Sequence, residues 1–258
     1  RLSGSQTVAR PEFRELSPFA FYDFELNAQV VGNSLARRTK ISNFDLRYEW
    51  YPRAGELITV GAFYKHFKDP IEYYFNRTGP ATNTFNINNS NNANVIGAEC
   101  EFRKKLDFLS QKLANFTLSG NLSYIHSRVK DTVALNRPLQ GQSPYLVNVA
   151  LLYDQEKAGF SATLLFNQIG RRILFVGNEA ISNIWENPRP LVDLQVSQKV
   201  MNKKGEIRLN ISDILNKRAY FYHDLDDNNR FKAGSKDVLA ISRNYGTNVS
   251  LTFAYSIK

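Results

Sequence analysis

Apolar and polar residues alternate with period two along most of the chain, and period two is the mark of strands rather than helices. Phe44, Leu46, Tyr48 and Trp50 interleave with Asn43, Asp45, Arg47 and Glu49. Phe116, Leu118, Leu122 and Tyr124 interleave with Thr117, Ser119, Asn121 and Ser123, and Gly120 falls on the apolar side. The same pattern runs through Ile96 to Arg103, Val192 to Lys199, Ile207 to Ser212 and Tyr245 to Ile257. Leu57 to Phe67, Tyr145 to Tyr153 and Phe160 to Phe166 are more apolar on both faces. With Leu2 to Val8 as a first strand, the pattern predicts ten strands.

The connections alternate in length. Pro52 to Glu56, Asp107 to Leu113, Asp154 to Gly159 and Met201 to Gly205 are short and polar, with Pro, Gly, Lys and Asp supplying turn geometry. Arg10 to Arg38, Lys68 to Asn92, Lys130 to Gln142, Leu174 to Pro188 and Asn216 to Ala240 are long. Seven Asn between Asn83 and Asn94 favour irregular backbone there. Long structureless loops are uncommon in compact soluble domains. Short turns at one end and long loops at the other suit an antiparallel transmembrane β-barrel, whose strands are apolar toward lipid and polar toward a wet lumen. A soluble sandwich would show the same alternation with its faces reversed. Aromatic placement separates the two cases: Trp50, Tyr51, Tyr153 and Tyr255 flank the short turns, whereas Tyr64, Phe67, Tyr124, Tyr145 and Tyr245 flank the long loops, forming two interfacial girdles.

Composition narrows the classes further. Hydrophobic residues make up 43% and charged residues 22% of the 258, which excludes a disordered chain. Mean hydropathy is −0.38 and no apolar run approaches the ~18 residues of a spanning helix, so any membrane span must use strands. The lone Cys100 forbids an internal disulfide or a cysteine metal cluster. The chain begins at Arg1 without a leader, and more polypeptide is expected upstream.

Several segments together resemble the C-terminal half of TonB-dependent outer-membrane receptors, particularly those of Bacteroidetes-type bacteria. They are Ala9-Arg10-Pro11-Glu12-Phe13-Arg14-Glu15-Leu16-Ser17-Pro18, followed by Val31-Gly32-Asn33-Ser34-Leu35; the run from Asn43 to Trp50 continuing to Gly61-Ala62-Phe63-Tyr64-Lys65; Gly97-Ala98-Glu99 opening a strand; Gly141-Gln142-Ser143-Pro144-Tyr145; and Ile211-Ser212-Asp213-Ile214-Leu215-Asn216-Lys217 before the last long loop. Tyr245-Gly246 and the alternation after it resemble the closing strand. Ser34 stands where the family usually has Pro, Asp213 where it has Asn, and Lys258 where it often ends in Phe. The resemblance implies a barrel of about 22 strands occluded by an N-terminal plug. Residues 1–258 are then the C-terminal part of one outer-membrane barrel domain, its last ten strands, without the plug and the earlier strands. It also implies a bacterial outer-membrane location and import of a scarce nutrient captured at extracellular loops, driven by the TonB complex acting on the plug. The partners it implies are outer-membrane lipid and lipopolysaccharide, the remaining strands and plug, and a surface lipoprotein or other outer-membrane subunit. The alternative is a non-transporting barrel that serves as a structural or partner-binding subunit.

The candidate chemistry is sparse. Asp224, Asp226 and Asn228 place oxygen donors at alternate positions, as the first half of a calcium loop does, but Ser235 stands where the bidentate Glu belongs. Asp237 is the possible substitute, and the stretch from Asp224 to Asn229 reads as a solvated loop to which no metal is assigned. His66, His126 and His223 lie far apart; His223-Asp224 gives slight grounds for an outer-membrane protease. Glu99 and Glu101 share a strand face with Arg103, which points to a lumen network rather than acid–base chemistry. Arg37, Arg38 and Lys40, Arg171 and Arg172, and Lys217 and Arg218 gather basic charge at the long-loop side, where lipopolysaccharide phosphates or an anionic ligand would meet it. Lys104, Lys105, Lys203 and Lys204 occupy the other side. With 33 Lys and Arg against 24 Asp and Glu the net charge is +9, yet the basic residues are not grouped with aromatics on one strand face, which argues against nucleic acid. No catalytic set, cofactor motif or ligand-binding residue emerges, and the chain is read as a non-enzyme.

Overall fold

The computed structural model describes residues 1–24, 26, 28–77, 83–130, 136–178 and 180–256; Ile257 and Lys258, placed by the sequence on the final strand, lie outside them. The strands are β1 (Leu2–Ala9), β2 (Ala20–Asp23), β3 (Ala28–Val31), β4 (Thr39–Trp50), β5 (Leu57–Lys68), β6 (Ile71–Arg77), β7 (Asn83–Asn89), β8 (Asn92–Lys105), β9 (Phe116–Lys130), β10 (Tyr145–Gln155), β11 (Phe160–Ile169), β12 (Arg172–Phe175), β13 (Ile184–Glu186), β14 (Leu191–Val200), β15 (Gly205–Ser212), β16 (Ala219–His223), β17 (Val238–Arg243) and β18 (Asn248–Tyr255). A one-turn helix, α1 (Phe13–Leu16), follows β1.

Ten strands form one antiparallel sheet in the order β1-β4-β5-β8-β9-β10-β11-β14-β15-β18, so neighbours in the sheet are neighbours along the chain once the long connections are set aside. These are the ten strands the alternation predicts. The register gathers apolar residues of neighbouring strands on one side: Leu46 opposes Ala62, Val60 opposes Cys100, Leu151 opposes Leu164 and Leu209 opposes Leu251. That side is bare, with Tyr48 69%, Tyr124 70% and Leu251 73% exposed, as a lipid-facing surface requires. Phe67 departs from the expected girdle, because it pairs with Ala93 in the register of the polar face while its neighbour His66 takes the outer one. The final strand starts at Asn248 rather than Tyr245, which lies beneath the Arg189 guanidinium, 5.1 Å from ring centroid to carbon.

Gly97 does not open a strand, since β8 begins five residues earlier at Asn92. Its place is mid-strand opposite Phe63, whose ring covers it; a Cβ there would lie 2.5 Å from the ring. Phe102 covers Gly120 on the outer face in the same way. An aromatic laid over a cross-strand glycine fills the volume that the missing side chain leaves.

Four of the five long connections carry strands among their described residues. β2-β3-β7-β6 and β12-β13-β16-β17 form two further four-stranded sheets, and the Asn-rich segment from Asn83 to Asn89 is a strand. The two sheets join where the Phe75 N–H donates to the Val176 carbonyl (2.6 Å) and the Val176 N–H to that of Tyr73 (2.9 Å). Asn is a poor strand former, but Phe85 and Ile87 between the asparagines bury completely, and packing overrides propensity. They belong to an apolar core with Ala28, Val30, Phe75, Phe175, Ile184, Ala219 and Phe221, in which the rings of Phe85 and Phe175 lie 4.1 Å apart. The buried core therefore sits in a folded cap at the long-loop end.

At the opposite end Glu56 is buried between Arg53 (2.6 Å) and Lys104 (2.7 Å), and Arg53 also grips Asp107. The hydrogen bonds from Arg53 and Lys104 hold the Glu56 carboxyl down at about 2 and tie two of the short turns together.

Candidate functional site

The cap is positioned by a buried ion pair. β6 turns Tyr73 and Phe75 toward the apolar core and Glu72 and Tyr74 to its other side, where Arg137 meets them. The Arg137 guanidinium donates to both Glu72 oxygens, at 2.8 and 2.7 Å, and to the hydroxyls of Ser90 and Tyr74. Glu72 also accepts from the Ser90 hydroxyl and, at 2.9 Å, from the Gln140 N–H. Gln140 then bridges outward, accepting from Tyr73 N–H (2.7 Å) and donating to the Leu174 carbonyl (2.5 Å). One buried carboxylate thus ties the connection after β9 to β6 and β12. Nothing local in the sequence marks Glu72 and Arg137, which lie 65 residues apart.

Beside this pair, at the long-loop ends of β9 and β10, opens a cavity of about 680 Å³. Among the described residues its lining includes His126, Arg128, Arg137, Tyr145, Arg171, Trp185, Asn229 and Arg230, and no carboxylate. Arg137 is neutralised by Glu72. Arg171 pairs with Asp224 (2.6 Å) and stacks on Trp185, 3.7 Å from the ring centroid. Among the described residues Arg128 donates to the Asn136 side chain alone, at 3.0 and 2.5 Å, and Arg230 is exposed. Among the described residues neither has an acidic partner, so both guanidiniums are available to an anion. Trp185 and Tyr145 add flat apolar surface next to them.

The residues singled out by sequence divide between this site and others. Of the basic group, Arg171 enters the cavity and Arg172 turns to Glu186 (2.6 Å); Arg37 pairs with Asp69 (2.9 Å), while Arg38, Lys40, Lys217 and Arg218 are exposed. Arg128, Arg137 and Arg230 line the cavity although no pattern announced them. His126 lines it as well. His66 is held 2.7 Å from the Asn94 side chain, and His223 Nδ1 lies 3.0 Å from the Ser182 carbonyl. Burial pushes the His223 imidazole below its ordinary value against the opposing pull of that carbonyl. The His223-Asp224 pairing that a protease would need does not form, because Asp224 is engaged by Arg171. In the lumen, Glu101 meets Arg47 (3.2 Å), which also holds Glu49 (2.9 Å); Arg47 is therefore the cation of the expected network.

A sequentially wound antiparallel sheet, bare and apolar on one face, polar on the other and with its long connections gathered at one end, defines a transmembrane β-barrel class of protein. The chain belongs to the outer membrane protein beta-barrel family, which matches residues 1–254 and places it in the bacterial outer membrane. Among solved structures it is similar to the copper transporter OprC (TM-score 0.66, 14% identity, 99% of this chain and 37% of that one). It is also similar to the ferric yersiniabactin uptake receptor FyuA from Yersinia pestis (TM-score 0.63, 16% identity, 98% and 34%). A third similar structure is a variant of the ferric enterobactin receptor PfeA from Pseudomonas aeruginosa (TM-score 0.56, 17% identity, 84% and 32%). At such identities the likeness is one of fold. The chain spans about a third of the length of these three proteins. No curated protein matches it by sequence.

Proposed function

We propose that the chain is the C-terminal barrel portion of a TonB-dependent outer-membrane transporter, whose cap captures a scarce ligand that enters when the plug is displaced. The observation that carries this reading is the open sheet. β1 and β18 are its two edges, they do not pair with each other among the described residues, and both are exposed along their whole length. Lipid offers no hydrogen bonds to a free edge, so further strands must complete the barrel. The polar lumen face, with Arg47, Glu49, Glu99 and Glu101, suits contact with a plug. The cavity in the cap, with Arg128 and Arg230 beside Trp185, suits an anionic ligand.

The first test is the intact mass of the native protein extracted from outer membranes. A mass fitting a barrel of about 22 strands with its plug supports the reading. A mass near 29.5 kDa with heat-modifiable migration would indicate a closed ten-stranded barrel and overturn it. The second is growth under nutrient limitation: Arg128→Ala with Arg230→Ala should reduce uptake at an unchanged protein level. Unchanged growth on deletion of the gene under every limiting nutrient would favour a structural subunit.

A further inference from the structure

We propose that Asp224, Asp226 and Asp237 bind a divalent cation, Ca²⁺, in the last long connection of the cap. Asp237 lies 13 positions after Asp224 in the sequence, yet the fold returns it to the other two, and one carboxylate oxygen from each lies within 4.8 Å of the others. Ca²⁺ takes oxygen donors at about 2.3–2.6 Å in flexible geometry, so such a trio closes on one ion with small movements.

Convergence of acids alone would not argue for a ligand; the buried member does. The Asp224 side chain is 3% exposed, and its Oδ2 is occupied by Arg171 and by the Asn229 N–H (3.2 Å). Among the described residues its Oδ1 is buried without a hydrogen-bond partner, as is the hydroxyl of the fully buried Tyr222. Buried polar atoms left unpaired are costly, and a cation beside Asp224 would relieve the first directly. The Arg171 guanidinium that holds Asp224 also lies 5.7 Å from the Tyr222 ring centroid, so the phenol stands beside the Asp224 end of the trio.

The charge balance points the same way. Three carboxylates face one guanidinium, that of Arg171. Asp226 and Asp237 have no Lys or Arg partner among the described residues and are met only by backbone N–H groups and Asn228. The surplus matches a divalent cation. Oxygen-only donors on an irregular segment favour Ca²⁺ over the stricter octahedron of Mg²⁺. Because Asn229 and Arg230 border the cavity, occupancy would also set where the Arg230 guanidinium stands.

The test uses the detergent-solubilised native protein, stripped with chelator, so its outcome does not depend on transport. Calcium chloride titrated calorimetrically should bind saturably in the range of extracellular calcium modules, about 10⁻⁴–10⁻³ M. Terbium chloride should luminesce on tyrosine excitation and be displaced by calcium. Asp226→Asn with Asp237→Asn should weaken calcium binding by about tenfold or more. Tyr222→Phe should dim terbium without changing calcium affinity. Calcium should raise the melting temperature of the native protein and not that of the double variant, and heat-modifiable migration establishes that both are folded. Absence of saturable binding up to about 10 mM, an order above that range, or unchanged affinity in the folded double variant, would overturn the proposal.

Discussion

Glu72 and Arg137 are nearly sealed from solvent, and a buried pair that loses one partner leaves an uncompensated charge costing about 3–5 kcal/mol. Arg137→Met alone should therefore release the cap, seen as fast hydrogen exchange and proteinase cleavage in residues 83–90 and 136–143. Glu72→Leu combined with Arg137→Met should recover much of the protection, since replacing both charges is far cheaper than stranding one. His223 gives a pH dependence of definite sign. Its imidazole packs against Phe75, with ring centroids 5.7 Å apart, and is held neutral by burial. Below the unfolded value of about 6.5 the unfolded chain takes up a proton that the folded cap refuses, so cap stability is full above that pH and declines as pH falls toward the depressed folded value. Cap protection measured at pH 7.5 and 5.5 should show this decline in the native protein and a smaller one in His223→Gln. None of these roles is legible along the chain: Glu72, Arg137 and His223 sit in connections without periodicity, and their partners are distant in sequence.

At the scale of the element, the membrane strands were legible because a strand with one face in lipid and the other in water must alternate, and alternation survives any register. The cap strands were not. They are three to seven residues long, rich in Asn and aromatics, and stable only because their apolar sides meet in one core. Phe85→Ala should cost the cap about 3–5 kcal/mol while leaving the membrane sheet intact, which hydrogen exchange can resolve segment by segment. The glycines separate two kinds of close approach. A Cβ on Gly120 would meet the Asn148 backbone carbonyl at 2.5 Å, which cannot move aside, whereas on Gly97 the nearest obstacle is the movable ring of Phe63. Gly120→Ala should lower the yield of folded, heat-modifiable protein more than Gly97→Ala, and Phe63→Leu should rescue only the latter.

For the whole molecule, the orientation of the faces makes neighbouring residues unequal. Leu122 is on the outer face and Asn121 on the lumen face in the middle of β9, paired with Val147 and Asn148. Leu122→Arg should destabilise the barrel by about 2–4 kcal/mol through the cost of charge at the bilayer midplane, and Asn121→Arg should be tolerated. Urea unfolding in lipid vesicles compares the two, and equal effects would contradict the assignment of faces. The sequence by itself determined the ten membrane strands, the faces of those that alternate cleanly and the ends at which short and long connections lie, because each follows from how a single strand must partition between lipid and water. Only the tertiary structure decided that the long connections are folded, that Arg137 is spent on Glu72 while Arg128 and Arg230 face an open cavity, and that Asp237 returns to Asp224. Those outcomes depend on contacts between segments far apart in the chain, where burial rather than local pattern selects the partner.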